Sequence, residues 1–433
     1  MLPQSTFMVL APVADGRREA LQALLDGMNL VPPIADPDNP LVPFGQFDRL
    51  HFARFVILDP LTDEDIGVYG EPASPWRVSL AFLGDCDGDA GSFVDELIAT
   101  AGPGLRRIFS HCEGCGPDTD LRLWMTVHAA KPTASYVNWI GRTVRQIHEE
   151  SALRGALIAK ARELGGSPAT LPPARLRDQL LDFVRGELAA HRLKLTPEPP
   201  TPREWWLRNY LHAVGVPAVL IVAAPFLLLA SPILLYMLRS REIADPELTP
   251  RLPLERIQEL AAQEDHDFTN QFSAMGDVKP GRFRRWLVVA LLRLLDYASR
   301  HIFRRGYLTR VQTIHFARWV LLDDDRRLLF ASNYDGSLES YMDDFINKVA
   351  WGINIVFGNG LGFPRVSWLF GGGARFEGKY KRYLRRHQLP TAVWYKAYPG
   401  LSVADLNRNS MIRQGIDKPP QDGAATIAWL SLL

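Results

Sequence analysis

Two histidine–arginine pairs are the residues of this chain best suited to chemistry. His51 and Arg54 lie in the segment LHFARFVILD, and His315 and Arg318 lie in IHFARWVLLD, which is identical at seven of its ten positions. An imidazole can ligate a metal or a haem or hold a substrate acid, and a guanidinium can stabilise developing negative charge. Strand side chains alternate between faces, so each histidine should point away from its arginine unless a bulge intervenes. The alternative is that both histidines are satisfied core residues at a contact between the two copies.

An Asp-Gly turn follows each of these segments. Asp87-Gly88 and Asp335-Gly336 are both expected to end a strand and open a helix, where the aspartate can cap the helix and the glycine permits a positive φ. The second turn is richer, because Asn333 and Tyr334 precede the acid. Any catalytic or cofactor centre is therefore expected in the second copy, where the carboxylate could move a proton. The predicted site residues are the cofactor ligand His315 and the catalytic residues Arg318, Asn333 and Asp335.

A third cluster has the spacing of half a metal site. His111, Cys112 and Cys115 are close in sequence, and Cys86 could approach them from a neighbouring loop. Structural zinc usually takes two such close pairs, and the sequence offers no second pair. We interpret this segment as a tight loop after a helix and predict no metal site.

One pattern of elements occurs twice in the chain, which indicates an internal pseudo-two-fold. Apolar periodicity gives the order β-α-β-β-α-β in each copy, the order of a ferredoxin-like unit. In the first copy the predicted elements are Ser5–Val13, Arg17–Met28, Leu50–Leu58, Arg77–Leu83, Ser92–Thr100 and a last strand at Leu121–His128. In the second they are Phe272–Val278, Arg282–Arg304, Val311–Leu322, Leu328–Ser332, Leu338–Ile355 and Ala392–Tyr398. Extra helices are expected at Ser135–Leu164 and Ser402–Gly415.

These elements predict an α+β protein in which two tandem ferredoxin-like repeats pack as a pseudo-symmetric barrel or sheet pair. The first repeat with its trailing helices is assigned to residues 1–164, a proline-rich linker to 165–204, a hydrophobic membrane-attachment segment to 205–245 and the second repeat to 246–433. The hydrophobic content of 47% is enough for two cores. A net charge of +1 argues against a nucleic-acid partner. Three cysteines and the lack of a signal-like opening segment favour a cytoplasmic location for the repeats.

The apolar segment predicts contact with a membrane. Ala213–Leu238 runs for 26 residues without a charge, enough to cross a bilayer, and the alternative is a buried core helix. A single crossing would place the two repeats on opposite sides, where they could not pack together. Three prolines within the run, at 217, 225 and 232, also bend a helix. Both arguments favour a re-entrant or in-plane attachment, with the basic-ended apolar helix predicted at Arg282–Arg304 at the bilayer surface.

The doubled element order resembles the dimeric α+β-barrel superfamily, which includes dye-decolourising peroxidases and chlorite dismutases. Those peroxidases carry a Gly-x-x-Asp-Gly motif with a distal aspartate, and Gly84-Asp85-Cys86-Asp87-Gly88 fits that pattern, whereas the second copy keeps only Asp335-Gly336. The resemblance implies a haem cofactor and a proximal histidine in the second domain. His315 and His387 are the residues that could serve as that histidine.

Together these features predict a membrane-associated oxidoreductase, haem-dependent and peroxidase-like, that acts on a lipophilic substrate entering from the bilayer. The alternative is a non-catalytic membrane-associated module that binds a lipid or a partner. Membrane lipid and a lipophilic small molecule are the expected partners under both hypotheses, and whether the chain is an enzyme is left open. The visible absorption spectrum of the purified protein would distinguish the oxidoreductase from the non-catalytic module.

Overall fold

The computed structural model describes residues 1–165, 172–248, 252–303, 308 and 311–433. The helices are α1 (Arg18–Asp26), α2 (Ala90–Phe109), α3 (Leu121–Val127), α4 (Val144–Glu163), α5 (Pro173–Ala189), α6 (Arg203–Ala244), α7 (Leu254–Ala261), α8 (Arg282–His301), α9 (Leu338–Phe357), α10 (Glu377–His387), α11 (Val403–Asp417) and α12 (Gly423–Leu430). The strands are β1 (Gln4–Pro12), β2 (Asn29–Val31), β3 (Ile34–Ala35), β4 (Leu50–Leu58), β5 (Ser79–Asp87), β6 (Ala134–Val137), β7 (Thr269–Asp277), β8 (Ile314–Leu322), β9 (Arg327–Asp335), β10 (Val366–Ser367), β11 (Gly371–Gly372) and β12 (Thr391–Lys396). The protein is thus a mixed α+β fold, as predicted.

Two open sheets form the centre of the molecule, and each is completed by a strand from the other half of the chain. One sheet has the order β1-β5-β4-β12-β3-β2, and the other has the order β6-β8-β9-β7. Strand β12 comes from the second half and pairs antiparallel with β4, while β6 comes from the first half and pairs antiparallel with β8. Each half therefore contributes its last strand, β6 or β12, to the sheet of the other half.

The two sheets face each other across a shared apolar layer. One core cluster contains Met8, Val56 and Leu83 from the first sheet together with Met275 and Val320 from the second. Each sheet also has a core of its own on the opposite face, under α2 in the first half and under α8 and α9 in the second. The predicted packing of the two halves into one body is therefore present, as a pair of open sheets.

A segment predicted as a strand is a helix. Leu121–His128 was expected to be the last strand of the first copy, but Leu121–Val127 forms α3, whose N-terminus is capped by the Asp120 side chain accepting from Leu123 N at 3.0 Å. The strand that occupies this place in the repeat is β6, which lies at the start of the segment predicted as helix 135–164. The helix in that segment begins only at Val144.

The long apolar segment is part of one helix. Helix α6 contains all three prolines. It has 42 residues and is therefore about 63 Å long at 1.5 Å per residue. Among the described residues it is the one helix long and apolar enough to cross a membrane, and none of its most apolar window is buried. Before it, residues 166–171 of the predicted linker lie outside the described residues. The rest of the linker contains α5, which shares one core cluster with α4, α11 and α12 that includes Leu153, Leu180, Ile412 and Trp429.

Candidate functional site between the two sheets

A β-bulge turns both repeated histidines into the space between the sheets. The register of β4 against β5 shifts between Leu50 and Phe52, and β8 shifts against β9 at the equivalent place. His51 lies 5.2 Å from the ring of Phe316, and His315 lies 5.5 Å from the ring of Phe52. The prediction that each histidine points away from its arginine made an exception for a bulge, and that exception applies in both copies.

In the first copy, the aspartate of the Asp-Gly turn holds the histidine. His51 Nε2 lies 3.0 Å from Asp87 Oδ1, and Nδ1 lies 3.1 Å from the hydroxyl of Tyr398, which comes from the second half. The other carboxylate oxygen of Asp87 accepts the N–H of Val144 at 2.8 Å, at the N-terminus of α4. Asp87 was expected to cap α2, but that cap is Asp89, so the prediction was wrong about which helix the aspartate stabilises. Burial raises the pKa of Tyr398, which keeps its hydroxyl protonated.

The second copy repeats this arrangement. His315 Nε2 lies 2.7 Å from Asp335 Oδ1, and the hydroxyl of Thr269 donates to the same oxygen at 3.0 Å. Asp335 Oδ2 accepts the N–H of Val403 at 2.6 Å, the first residue of α11. The cap of α9 is Ser337, so Asp335, like its counterpart, does not cap the helix that follows it. Each aspartate therefore joins a histidine to the N-terminus of a later helix.

The arginines cross from one sheet to the other. Arg318 of the second sheet donates to Phe7 O at 2.9 Å, to Gly84 O at 3.1 Å and to Asp85 Oδ1 at 2.5 Å. All of these acceptors belong to the first half, and Arg318 and Asp85 are both buried. Burial raises the pKa of Asp85 even though the guanidinium of Arg318 opposes that shift.

Arg54 makes the reciprocal contacts with the second half, except that its polar side-chain partner is neutral where that of Arg318 is a carboxylate. It donates to Phe272 O at 2.9 Å and to Ser332 O at 2.8 Å, positions that correspond in the repeat to the carbonyls bound by Arg318. It also donates to Ser273 Oγ at 3.0 Å and to the amide oxygen of Asn333, which takes the place that an aspartate has in the other half. Burial, followed by repulsion from Arg318, lowers the pKa of Arg54 to about 9. The layer between the sheets thus contains one arginine facing a carboxylate and one facing a neutral amide.

The predicted site residues do not form one cluster. His315 and Asp335 are in contact, as a catalytic role would require. Arg318 binds Asp85 instead, and Asn333 accepts from Arg54 and from Trp394 Nε1, the latter at 3.2 Å. Both therefore hold the two sheets together in this structure, and their predicted catalytic roles stay predictions.

The space beside the histidines is small. A cavity of about 20 Å³ is lined by His51, His315, Tyr398 and Arg142, which is room for about one water molecule. Ligand sites for drug-sized molecules and cofactors are roughly 300–1,000 Å³. His387 is buried too: its Nδ1 lies 2.8 Å from Tyr383 O, the nearest cavities are about 30 and 20 Å³, and burial lowers its pKa to about 4. The residues around these histidines therefore do not fit a haem.

Two larger cavities lie elsewhere, and sequence reasoning found neither. One is a groove of about 650 Å³ between the β2–β3 hairpin and α4, lined by Arg145, His148 and Lys396 among others. Lys396 forms an ion pair with Asp267, and burial lowers the pKa of the lysine to about 8. The residues of this groove come from distant parts of the chain, so no local motif marked it.

The second cavity has a volume of about 280 Å³ and is almost wholly apolar. It lies between α8, α9 and the sheet of the second half, and its walls include Leu291, Leu295, Trp319, Phe345 and Val349. Its residues read as ordinary core positions in the sequence, because an apolar side chain that lines a cavity has the same periodicity as one that fills it.

The segment His111–Cys115 was predicted to be a tight loop after a helix, and its thiols are buried. Cys112 and Cys115 are free and buried, and burial raises the pKa of the Cys112 thiol to about 12. Within the ranges that the structure describes, no group of three or more His, Cys, Asp or Glu side chains could hold a metal ion.

Comparison of the chain with protein-family models, with curated proteins and with solved structures finds no match in any of the three. The geometry described above is therefore the basis for any proposal about function.

Proposed function

We propose that this protein is a membrane-associated module, built from two tandem ferredoxin-like repeats, that binds a lipophilic molecule. The observation that supports this most directly is the exposure of the apolar helix α6. Ile221, Phe226 and Leu229 are 73%, 72% and 83% exposed. Soluble proteins rarely leave apolar patches of more than a few hundred Å² in water, and larger ones mark contacts with membranes or partners.

The contacts of α6 favour attachment in the plane of the bilayer. Near the start of its apolar run, Ala213 O accepts from the hydroxyl of Tyr297 at 3.2 Å, and His212 lies 2.9 Å from His301. Beyond the other end, Glu242 is fully buried and accepts the N–H of Leu369 at 2.9 Å. A spanning helix needs its ends on opposite sides of a hydrocarbon layer about 30 Å thick. A helix whose two ends both contact the second half is better suited to lie along the membrane surface.

Two further features agree with this attachment. Trp286 on α8, near the C-terminal end of α6, is 51% exposed, and Trp368 and Phe370 near the same end are 47% and 56% exposed. Aromatic rings are favoured at the membrane–water interface. The three cysteines are free, which supports the cytoplasmic side for the repeats.

Flotation with phospholipid vesicles tests the attachment. The full chain should rise with vesicles of phosphatidylcholine and phosphatidylglycerol, and the double variant Leu228→Lys, Leu229→Lys should not. Each lysine placed in hydrocarbon costs about 2 kcal/mol, so partitioning should fall roughly a thousandfold. The matched control is Leu30→Lys, Val31→Lys, which charges two apolar residues of the β2–β3 hairpin that are also more than half exposed.

The control variant should float like the wild-type chain. Equal flotation of the α6 double variant would overturn the proposal, and so would equal loss of flotation in both variants.

The predicted oxidoreductase is the second candidate. It is favoured by the buried contact between His315 and Asp335, because a carboxylate that accepts from Nε2–H fixes the tautomer and leaves Nδ1 as a base. In the first copy, Nδ1 of His51 already contacts the hydroxyl of Tyr398. Because the space around His315 does not fit a haem, the test is activity: oxidation of a lipophilic donor by the purified wild-type chain, but not by the His315→Ala variant, would support this function. A folded His315→Ala variant with an unchanged spectrum and unchanged activity would assign His315 to the architecture.

A further inference from the structure

Equivalent glycines of the two repeats have opposite surroundings. Gly104 in α2 is covered by the loop between β3 and β4, since a Cβ added to the glycine would lie 1.8 Å from Leu41 O. Gly352 occupies the corresponding position in α9, and a Cβ added there would meet nothing within 4 Å. Among the described residues, no loop of the second half covers α9 at this point, and Gly352 lines the 280 Å³ cavity. Residues 304–307 and 309–310, which precede β8 as Leu41 precedes β4, lie outside the described residues.

The wall of the cavity contains a break in a helix. Val349 in α9 has φ −143° and ψ 28°, values outside the helical range, and its side chain lines the cavity. The first-half helix α2 packs instead on a filled core, where Phe55 and Phe82 stack at 4.2 Å. Within the described residues, the second half therefore keeps an apolar space that is filled in the first half.

One polar group in this wall has no partner. Trp319 replaces Phe55 in the repeat and is 5% exposed, and its Nε1 makes no hydrogen bond in the described part of the chain. A buried donor without an acceptor costs about 1–3 kcal/mol. Trp319 lines the cavity, so a ligand within it could supply the missing acceptor.

We infer that this cavity binds a single hydrocarbon chain that carries one hydrogen-bond acceptor, such as an ester carbonyl, with the chain among Leu291, Leu295 and Phe345 and the acceptor at Trp319 Nε1. An apolar cavity of about 150 Å³ in another protein stays dry and binds benzene, so one of about 280 Å³ is large enough for a longer chain. The inference deepens the proposed function by naming its ligand class.

The position of the cavity indicates where the chain comes from. Its rim includes Leu294 and Trp351, which are 43% and 45% exposed, and Ala298 of α8 lies one residue from Tyr297, which binds α6. A lipid or a lipophilic molecule dissolved in the bilayer beside α6 would meet this rim first.

Filling the cavity tests the inference. Gly352→Leu places a side chain in the open space, and Gly186→Leu in α5 is the matched control, because a Cβ there also meets nothing within 4 Å. Binding of methyl decanoate to the full chain in detergent is followed by displacement of anilinonaphthalene sulfonate. Each methylene kept out of an apolar site costs roughly fourfold in affinity, so Gly352→Leu should bind on the order of a hundredfold more weakly.

Trp319→Phe tests the acceptor separately. The ratio of the affinity for methyl decanoate to the affinity for dodecane should be roughly tenfold lower in the variant than in the wild-type chain, because only the ester can accept from Trp319 Nε1. Native mass spectrometry of the purified wild-type chain then shows whether the bound molecule is a phospholipid or a free lipophilic molecule. The mass of either one should be absent from the Gly352→Leu variant.

Equal affinity of Gly352→Leu and Gly186→Leu would overturn the inference, as would retention of the same bound mass in Gly352→Leu. Both glycine variants should still float with vesicles. If the wild-type chain binds methyl decanoate but does not float, the membrane attachment fails while the cavity site stands.

Discussion

Replacing Arg318 should destabilise the fold more than replacing Arg54, although the two residues are equivalent in the repeat. Arg318→Met removes the guanidinium 2.5 Å from Asp85 Oδ1 and leaves that carboxylate buried at 3% exposure. Breaking a buried ion pair from one side costs about 3–5 kcal/mol. Arg54→Met removes a cation that faces an amide, and Asn333 Oδ1 still accepts from Trp394 Nε1. No carboxylate loses its direct ion pair in that variant.

The difference can be worked out from the contacts. Arg54→Met loses hydrogen bonds to two carbonyl oxygens, to Ser273 Oγ and to Asn333. It also relieves the burial of a guanidinium whose pKa is lowered to about 9. We expect a net cost of about 2 kcal/mol for this variant, against about 4 kcal/mol for Arg318→Met.

Urea unfolding of the full chain, followed by tryptophan fluorescence, measures both values. The double variant Asp85→Leu, Arg318→Met should be more stable than Arg318→Met alone, because it removes the orphaned carboxylate as well. Two results would refute the reasoning: an Arg54→Met variant that is destabilised as much as Arg318→Met, or a double variant no more stable than the single one.

Three further predictions concern single side chains. Burial raises the pKa of Asp277 to about 6, above its unfolded value of 3.8, so its contribution to stability is present below about pH 4 and is lost as the pH rises through 6. We expect the free energy of unfolding to fall by about 3 kcal/mol between these values and Asp277→Asn to flatten that fall, as measured by melting curves across the pH range. Asp335→Ala should cost about 2–4 kcal/mol in urea unfolding because it strips the partners of His315 and of the α11 N-terminus, and a loss below 1 kcal/mol would contradict the bridging role. Gly84→Ala should lower the melting temperature more than Gly186→Ala, since its Cβ would lie 2.7 Å from Phe52 O, and equal melting temperatures would contradict this packing.

The parts of the fold that could be predicted from the sequence are those set by local pattern. Strand β4 was predicted with its observed bounds because Leu50–Leu58 is rich in aromatic and β-branched residues. Every residue of the strand is buried, including the polar His51 and Arg54. The glycines of the two Asp-Gly turns have φ of 79° and 89°, as the turn chemistry required. The unburied apolar helix was likewise visible as an uncharged run.

Helix α3 shows how a local pattern can mislead. Its apolar residues alternate at Leu121, Leu123, Met125 and Val127, which is typical of a strand. The buried residues are instead Leu121, Trp124 and Met125, one face of a helix, while Leu123 and Val127 are 62% and 72% exposed. The Asp120 side chain caps the N-terminus of α3, which favours the helical periodicity over the strand alternation.

The candidate site depended on pairings that no local pattern encodes. The bulges that bring His51 and His315 into one cavity arise from the register of each strand against its neighbour. The partner of Arg318 is Asp85, which lies in the other half of the chain, so grouping the predicted site residues within one copy was bound to miss it. The apolar cavity was equally invisible, because only the comparison of Gly104 with Gly352 in three dimensions reveals it.

The reciprocal exchange of β6 and β12 also dictates an order of events during synthesis. Strand β4 leaves the ribosome early, but the neighbour that pairs with it, β12, lies near the far end of the chain. At about 5–20 residues per second, that edge stays unpaired for tens of seconds. Helix α6 emerges within this interval, so the nascent chain can reach a bilayer before either sheet is complete. If α6 attaches to a membrane as proposed, the final closure of both sheets takes place on a chain that the bilayer already holds.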